Sequence, residues 1–570
     1  MDNLLNETKF EEHIAGYLAG SDLYNQRSSS QFDIEKLCDV EMLEQFLRQQ
    51  PVVWNKLTKH FSGQEVATVI REYNKRIDRG ESILTIMRKG FTISGAKVKF
   101  CQFKPVLEGE GTDNYRLYRA NRFSVVRQMR YSLGEDSGNE LDLCILLNGI
   151  PLFTFELKNE GSDQNYTHGI LQYKRHRDPH NRMLRNCLVH FVMDNQYAFM
   201  TTFLNGEETT FLPFNQETVN PPIEGEYPTA YMWRRVLQAD SILDLLENFI
   251  KRYDEYYENK DTKEQKKRTV VIFPRFHQLR AVRKLRELVS EEGPGHNYLI
   301  QHSAGSGKTK TMAWLAHQLA NMTNPDGTAI FDSIIMVTDR IVLNRNMAED
   351  VVNFEVTAGT VKDIRKGSRK LADALNGENR IIISTVQKFA FALDYLKHEK
   401  SKKYAIIVDE AHTAIGNEAA KDLVSALSTQ EDLEKMGDYD PDEYDSPLDA
   451  LMAQMQNYRK MMNHISYFAF TATPKDKTYV LYGKNGKSAH DLYSMKQAID
   501  EKFILDVTQN YVSYKTKFEL IEKHPDEDKD KLFEQKKALK VIGEWLGKNK
   551  YIKLRKASMI VDQFMKFTIN

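Results

Sequence analysis

"NYLIQHSAGSGKTKTMAWLAHQLA", residues 297–320, decides the fold of the second half of the chain. An apolar run of strand length meets a glycine-rich turn, and a mostly apolar helix follows. That order opens a doubly wound α/β unit. Working outward, "SIIMVTD" (333–339), "RIIIST" (380–385), "YAIIVDE" (404–410) and "ISYFAFTAT" (465–473) are further apolar strands, alternating with helical stretches. Continuous apolar strands suit a parallel sheet covered on both faces.

The turn itself carries chemistry. Gly305, Ser306 and Gly307 let backbone N–H groups converge on phosphate oxygens, and the helix start adds a favourable dipole. Lys308 is expected to reach the β- and γ-phosphates of ATP, and Thr309 to hold Mg²⁺. His302 stands where the first glycine of GxxxxGK[ST] is expected. In "IIVDEAH" (406–412), Asp409 ends an apolar strand and suits Mg²⁺ binding through water, while Glu410 could orient the attacking water. Alone, each stretch also reads as an empty turn or a capping pair; together they define a nucleotide site.

A second charged feature lies upstream. "LDLCILLNGIPLFTFELK" (141–158) is almost wholly apolar between Asp142 and the pair Glu156 and Lys158, and Asn148-Gly149 is a hairpin turn. Strand residues two apart share a face, so Glu156 and Lys158 project together, and the hairpin returns Asp142 towards them. Two carboxylates and a lysine at a sheet edge can hydrolyse a phosphodiester. Asp142 and Glu156 would bind Mg²⁺, the Leu157 carbonyl is a candidate third ligand, and Lys158 would position water or stabilise charge. Glu11, on an N-terminal helix, is available to join them, and Gln172 lies in "LQYKRHR" (171–177) nearby. The competing reading is an ordinary strand end bearing an exposed Glu–Lys pair.

The chain has 570 residues, enough for several domains, with 41% hydrophobic and 28% charged residues. A net charge of −1 says nothing of partners, because a basic groove can be balanced elsewhere. Cys38, Cys101, Cys144 and Cys187 form no CxxC pair, so neither a zinc site nor a disulfide framework is expected, and a reducing cytoplasm fits. The sequence shows no signal peptide and no membrane-spanning run. The expected division is a mixed-sheet domain flanked by helices over 1–255, a charged linker over 256–269, a doubly wound lobe over 270–545, and the start of a further lobe over 546–570. The acidic stretch 431–447 reads as a surface insertion.

The motif order resembles superfamily 2 helicases and DNA translocases. "FPRFHQ" (273–278) is similar to their adenine-reading stretch, with Gln278 on the base edge. "VTDRIVL" (337–343) and "ISTVQKF" (383–389) resemble the elements that grip a DNA backbone, implying contacts from Arg340, Thr385 and Gln387. "TATP" (471–474) resembles the motif coupling ATP state to DNA grip, and "KASMIVDQF" (556–564) the first strand of a second RecA-like lobe. No arginine-finger motif follows, so a fragment of a longer polypeptide is expected. A PD-(D/E)xK nuclease ahead of a DEAH translocase resembles the restriction (R, or HsdR) subunit of type I restriction-modification enzymes, and "KFEEHIAGYL" (9–18) and "QFLRQQPVVWNKL" (45–57) extend the likeness. Under it, Asp142, Glu156 and Lys158 are the nuclease residues and Gln172 opens the accessory QxxxY motif. His176 replaces the tyrosine of that motif, and Leu141 the proline before the first acid. The resemblance implies Mg²⁺-dependent cleavage of unmodified double-stranded DNA coupled to ATP-driven translocation, with modification and specificity subunits as partners. Alternatives are a repair-type helicase-nuclease, or a docking subunit with an inactive nuclease fold.

Overall fold

The structure is a computed structural model of the chain. Described residues are 7–107, 109–133, 138–159, 164–258, 265–338, 341–354, 360–364, 368–377, 379–385, 402–409 and 464–506. The expected acidic insertion (431–447) and further lobe (546–570) lie outside them, as do Glu410, Arg340 and Gln387.

The first half is built on strands β1 (Tyr24–Arg27), β2 (Phe91–Ile93), β3 (Ala96–Val98), β4 (Phe123–Arg130), β5 (Glu140–Leu147), β6 (Ile150–Leu157), β7 (Val189–Met193), β8 (Ala198–Thr201) and β9 (Leu212–Pro213). Seven of them form one mixed sheet in the order β1-β4-β5-β6-β7-β8-β9, while β2 and β3 make a separate hairpin. Helix α1 (Glu7–Ala19) buries Phe10, Ile14 and Leu18, the helical spacing of its apolar face. Helices α2 (Val40–Arg48), α3 (Pro51–Phe61), α4 (Glu65–Asp78), α5 (Ile83–Lys89) and α6 (Asp113–Arg119) precede the central strands, and α7 (Tyr166–Arg175) follows β6. Helix α7 passes close over the sheet: a Cβ on Gly169 would stand 2.7 Å from a Val192 methyl and 3.6 Å from Glu156.

The β5–β6 hairpin sits in the middle of this sheet and is buried throughout β6. Asn148 and Gly149 both take positive φ, 49° and 83°, as a tight two-residue turn demands. The register then slips: Leu146 pairs Pro151 but Ile145 pairs Phe153, leaving Leu152 as an extra residue. That bulge matters. Continued past Leu143↔Phe155, the shifted register sets Asp142 opposite Glu156; without it Asp142 would face Phe155.

The second sheet uses β12 (Asn297–His302), β13 (Ser333–Thr338), β14 (Val361–Asp363), β15 (Ile381–Thr385), β16 (Tyr404–Val408), β17 (Ile465–Thr471) and β18 (Asp491–Tyr493). Its order is β14-β15-β13-β16-β17-β12-β18, and every pairing is parallel. This is the RecA-like, doubly wound class expected. Between the sheets, β10 (Lys251–Glu258) and β11 (Gln265–Ile272) form an antiparallel hairpin. This corrects the expectation of a linker over 256–269. The charge run lacks apolar alternation, but its charges face each other across the strands: Asp254 pairs Lys267 at 2.8 Å and Glu255 pairs Arg268 at 2.6 Å. One apolar core runs through both halves and includes Phe153, Phe191, Phe273 and Trp314. Among the described residues no helix is long and apolar enough to cross a membrane.

Candidate functional site

Three neighbouring strands and one helix bring acids together. Asp142 on β5 and Glu156 on β6 face each other by register, and Gln128 on β4 lies across from Asp142 on its other side, between the pairs Arg127↔Leu143 and Met129↔Leu141. Gln128 has a φ of 47°, a left-handed conformation uncommon for a residue with a Cβ. Its amide donates to both oxygens of Glu11, at 2.9 and 3.0 Å. Glu7 and Glu11 are one turn apart on α1. Glu7, Glu11 and Asp142 each offer an oxygen, and these lie within 4.8 Å of one another.

Lys158 is buried among these acids. Its ammonium donates to Glu7 at 3.0 Å, to the Leu157 carbonyl at 2.8 Å and to Asp142 at 3.5 Å. The Leu157 carbonyl expected to face a metal is thus engaged by Lys158, while the Leu157 N–H donates to Asp142 at 2.6 Å. Burial alone would pull the Lys158 ammonium down, but Asp142 and then Glu7 carry it above its ordinary range.

Glu156 is 0% exposed. Its Oε1 accepts from Arg177 Nε at 2.8 Å, and its Oε2 has no hydrogen-bond partner. Burial pushes its carboxyl up to about 8, with Asp142 adding to the shift and Arg177 opposing it. Burial likewise pushes Glu11 up to about 7, against the pull of Gln128. A buried carboxylate oxygen without a partner is costly. The set Glu7, Glu11 and Asp142 fits a hard divalent cation; Glu156, predicted as a ligand, lies beside that set and not within it.

Sequence reasoning named Asp142, Glu156, Lys158 and Glu11 but missed Glu7, Gln128 and Arg177. Glu7 was visible as the residue one helical turn before Glu11. Gln128 and Arg177 carry no spacing signal; each is brought in by a strand or loop distant in sequence. Gln172 lies on α7, half-buried, and its carbonyl accepts the His176 N–H that ends the helix.

At the second sheet, the glycine turn follows β12 and leads into helix α8 (Lys308–Asn321). Gly305 and Gly307 take positive φ, 71° and 79°. Gly307 is the N-cap of α8, and a Cβ there would stand 2.7 Å from Gln278 Nε2. The Gln278 amide donates to the Gly307 carbonyl at 3.1 Å and accepts from the Arg275 N–H at 2.9 Å. His277 contacts the Ser306 carbonyl at 3.0 Å, and Arg275 donates to the Gly305 carbonyl at 3.1 Å. Lys308 and Thr309 open α8. Asp409 is buried directly after β16, and Thr385 is buried at the end of β15. His302 is buried and bonds Asp491 at 2.8 Å; Arg280 holds the same carboxylate at 2.8 and 3.0 Å. The imidazole at the position usual for glycine therefore ties β12 to edge strand β18.

Comparison with known proteins follows the same division. Residues 24–217 match the family model "Type I restriction enzyme R protein N terminus", and residues 277–540 match "SWI2/SNF2 ATPase". The endonuclease subunit of a type I restriction enzyme from Staphylococcus saprophyticus is 21% identical over 414 residues, 69% of this chain and 37% of the relative. One from Staphylococcus aureus is 25% identical over 307 residues, 51% of this chain and 29% of the relative. The chain thus spans about a third of the length of these relatives. A solved fragment assigned to the HsdR subunit of a type I restriction enzyme from Vibrio vulnificus covers 66% of this chain and 56% of its own, at 15% identity and a TM-score of 0.26. A region of the type I restriction enzyme R protein N-terminus family and a region of the SWI2/SNF2 ATPase family thus follow one another in a single polypeptide.

Proposed function

We propose that the chain supplies the nuclease and first motor lobe of the restriction subunit of a type I restriction-modification system, a cytoplasmic enzyme that cuts unmodified double-stranded DNA by a Mg²⁺-dependent reaction coupled to ATP-driven translocation. One arrangement carries this reading: Asp142 opposite Glu156, with Lys158 between Asp142 and Glu7 and a buried Glu156 oxygen left unpaired.

In this reading Asp142, Glu156 and Glu11 hold the cation. A bound Mg²⁺ would polarise the phosphodiester and lower the pKa of its water. Lys158, kept charged by Asp142 and Glu7, orients the attacking water and stabilises the charge that develops on phosphate oxygen. Gln172 is assigned as an accessory group of the nuclease. At the motor, the Gly305, Ser306 and Gly307 backbone cradles phosphate, Lys308 neutralises it, and Thr309 and Asp409 serve Mg²⁺. Glu410 positions the hydrolytic water, Gln278 reads the adenine, and Arg340, Thr385 and Gln387 contact the DNA backbone. Modification and specificity subunits read the target sequence, so this chain's DNA contacts are to phosphates and weaken with salt.

The test is reconstitution of the complete subunit with its modification and specificity partners on unmethylated DNA. Asp142→Ala is expected to stop cleavage and leave DNA-stimulated ATP hydrolysis at the wild-type rate. Persistent cutting by that variant would move the nuclease elsewhere.

A further inference from the structure

We infer that Arg177 is a positioning residue for the metal site: its guanidinium clamps β5 to β6 at the acidic cluster and fixes which oxygen of Glu156 remains available to a cation. The inference rests on the metal-site reading above and deepens it.

Arg177 follows the end of α7 by two residues, yet it is almost fully buried, 6% exposed. Its three guanidinium nitrogens are committed to two strands and to a residue just past a third. Nε donates to Glu156 Oε1 on β6 at 2.8 Å, Nη2 to the Glu140 carbonyl at the start of β5 at 2.6 Å, and Nη1 to the Tyr131 hydroxyl just beyond β4 at 3.3 Å. Glu140 and Asp142 are two residues apart on β5, so one planar fork spans the strand carrying Asp142 and the side chain of Glu156. The last hairpin pair is Leu143↔Phe155, one step short of the acids. At the acids themselves the Leu157 N–H is taken by the Asp142 side chain, so the two strands lack their usual backbone ladder there. The guanidinium supplies a link that the ladder no longer makes. It also engages Oε1, leaving Oε2 as the unpaired atom. The rigid geometry of the fork makes this a task for arginine more than for lysine.

The same fork distinguishes Arg177 from its neighbours. Arg175 is on the outer face of α7, paired with Glu207 at 2.7 Å where both are exposed. Arg182 fastens a later loop to Asp78 and Asn74. Arg177 alone among these arginines points into the acidic hairpin.

The experiment is Mn²⁺ binding by the whole chain, read by titration calorimetry, with the metal alone as probe. Arg177→Met is expected to weaken Mn²⁺ binding by about 10- to 100-fold, the usual effect of losing a group that orients a metal ligand. Its far-UV circular dichroism and its ATP affinity stay at wild-type values. Arg177→Lys, which keeps a cation beside Glu156 but not the fork, recovers only a minor part of the loss. Should Arg177→Met not fold, Arg177→Gln provides the same reading with a neutral donor. Asp142→Ala, run in parallel, separates the two levels of the argument. If it loses Mn²⁺ while Arg177→Met and Arg177→Gln bind as tightly as wild type, the positioning role is overturned and the metal site stands. If it binds Mn²⁺ as wild type does, the metal-site reading fails, and the role of Arg177 with it.

Discussion

At the acidic cluster a proton and a divalent cation compete for the same oxygens, so metal affinity should depend steeply on pH. Burial holds Glu11 up to about 7 and Glu156 up to about 8, against an ordinary value of 4.5. A carboxyl must be deprotonated before it can act as a ligand. Below pH 7 one cation then displaces two protons, and affinity should climb about 100-fold per pH unit. Between pH 7 and 8 one proton remains to be displaced and the slope falls to about tenfold per unit. Above pH 8 it should flatten. The same shifts set the sign for stability. Folded-state values above 4.5 mean that the stability tied to these protons is full below about pH 4.5 and is lost as pH rises through 7 and 8. A saturating cation should oppose that loss. The assay is Mn²⁺ calorimetry at pH 6, 7, 8 and 9, each in two buffers of different ionisation enthalpy, so that released protons appear as buffer-dependent heat. Glu156→Gln removes one of the titrating ligands and should reduce the slope below pH 7 to about tenfold per unit. Affinity unchanged from pH 6 to 9, or heat independent of the buffer, would refute the reasoning, because the cation would then be meeting no buried acid.

The other expectations concern the motor half. Lys308→Ala removes the main cation at the glycine turn and should abolish ATP binding by fluorescence titration; unchanged affinity would contradict the phosphate-cradle assignment. Trp314 on α8 is 1% exposed and its indole N–H donates to the Phe249 carbonyl at 2.7 Å. Trp314→Ala should cost about 3–5 kcal/mol in urea unfolding, and Trp314→Phe about 1–3 kcal/mol through the carbonyl left unpaired. Asp491→Asn should cost about 2–3 kcal/mol, below the full penalty for an unpaired buried charge because Arg280, at 32% side-chain exposure, keeps contact with water; an unchanged urea midpoint would show that the His302–Asp491 tie is not stabilising.

How much of this was legible depends on whether the deciding interaction is local. The parallel sheet was legible because long apolar strands alternating with helices have few other solutions, and the glycine turn because a phosphate cradle needs its residues consecutive. The Asn148-Gly149 turn was legible for the same reason: two consecutive residues with positive φ. The partnership of Asp142 with Glu156 was inferred from that turn, yet the turn alone gives the wrong answer. Counting back from Leu147↔Ile150 with no slip sets Asp142 against Phe155; the extra residue at Leu152 moves it against Glu156. Periodicity of two cannot reveal a bulge, although Pro151, which has no N–H for a ladder, marks the place where one is tolerated. The charge run at 254–268 misled in the opposite direction. Its sequence looks solvated along one strand, and only the partner strand shows that Asp254 meets Lys267 and Glu255 meets Arg268. Arg177 was missed because nothing near it in sequence distinguishes it from Lys174 and Arg175. What singles it out is that Glu156 is buried with one oxygen to be satisfied by a cation from the protein and one left over. Any argument that a buried acid must be paired should therefore be carried oxygen by oxygen. At Glu156 that count names both the arginine that the motif omits and the atom on which a metal would have to act.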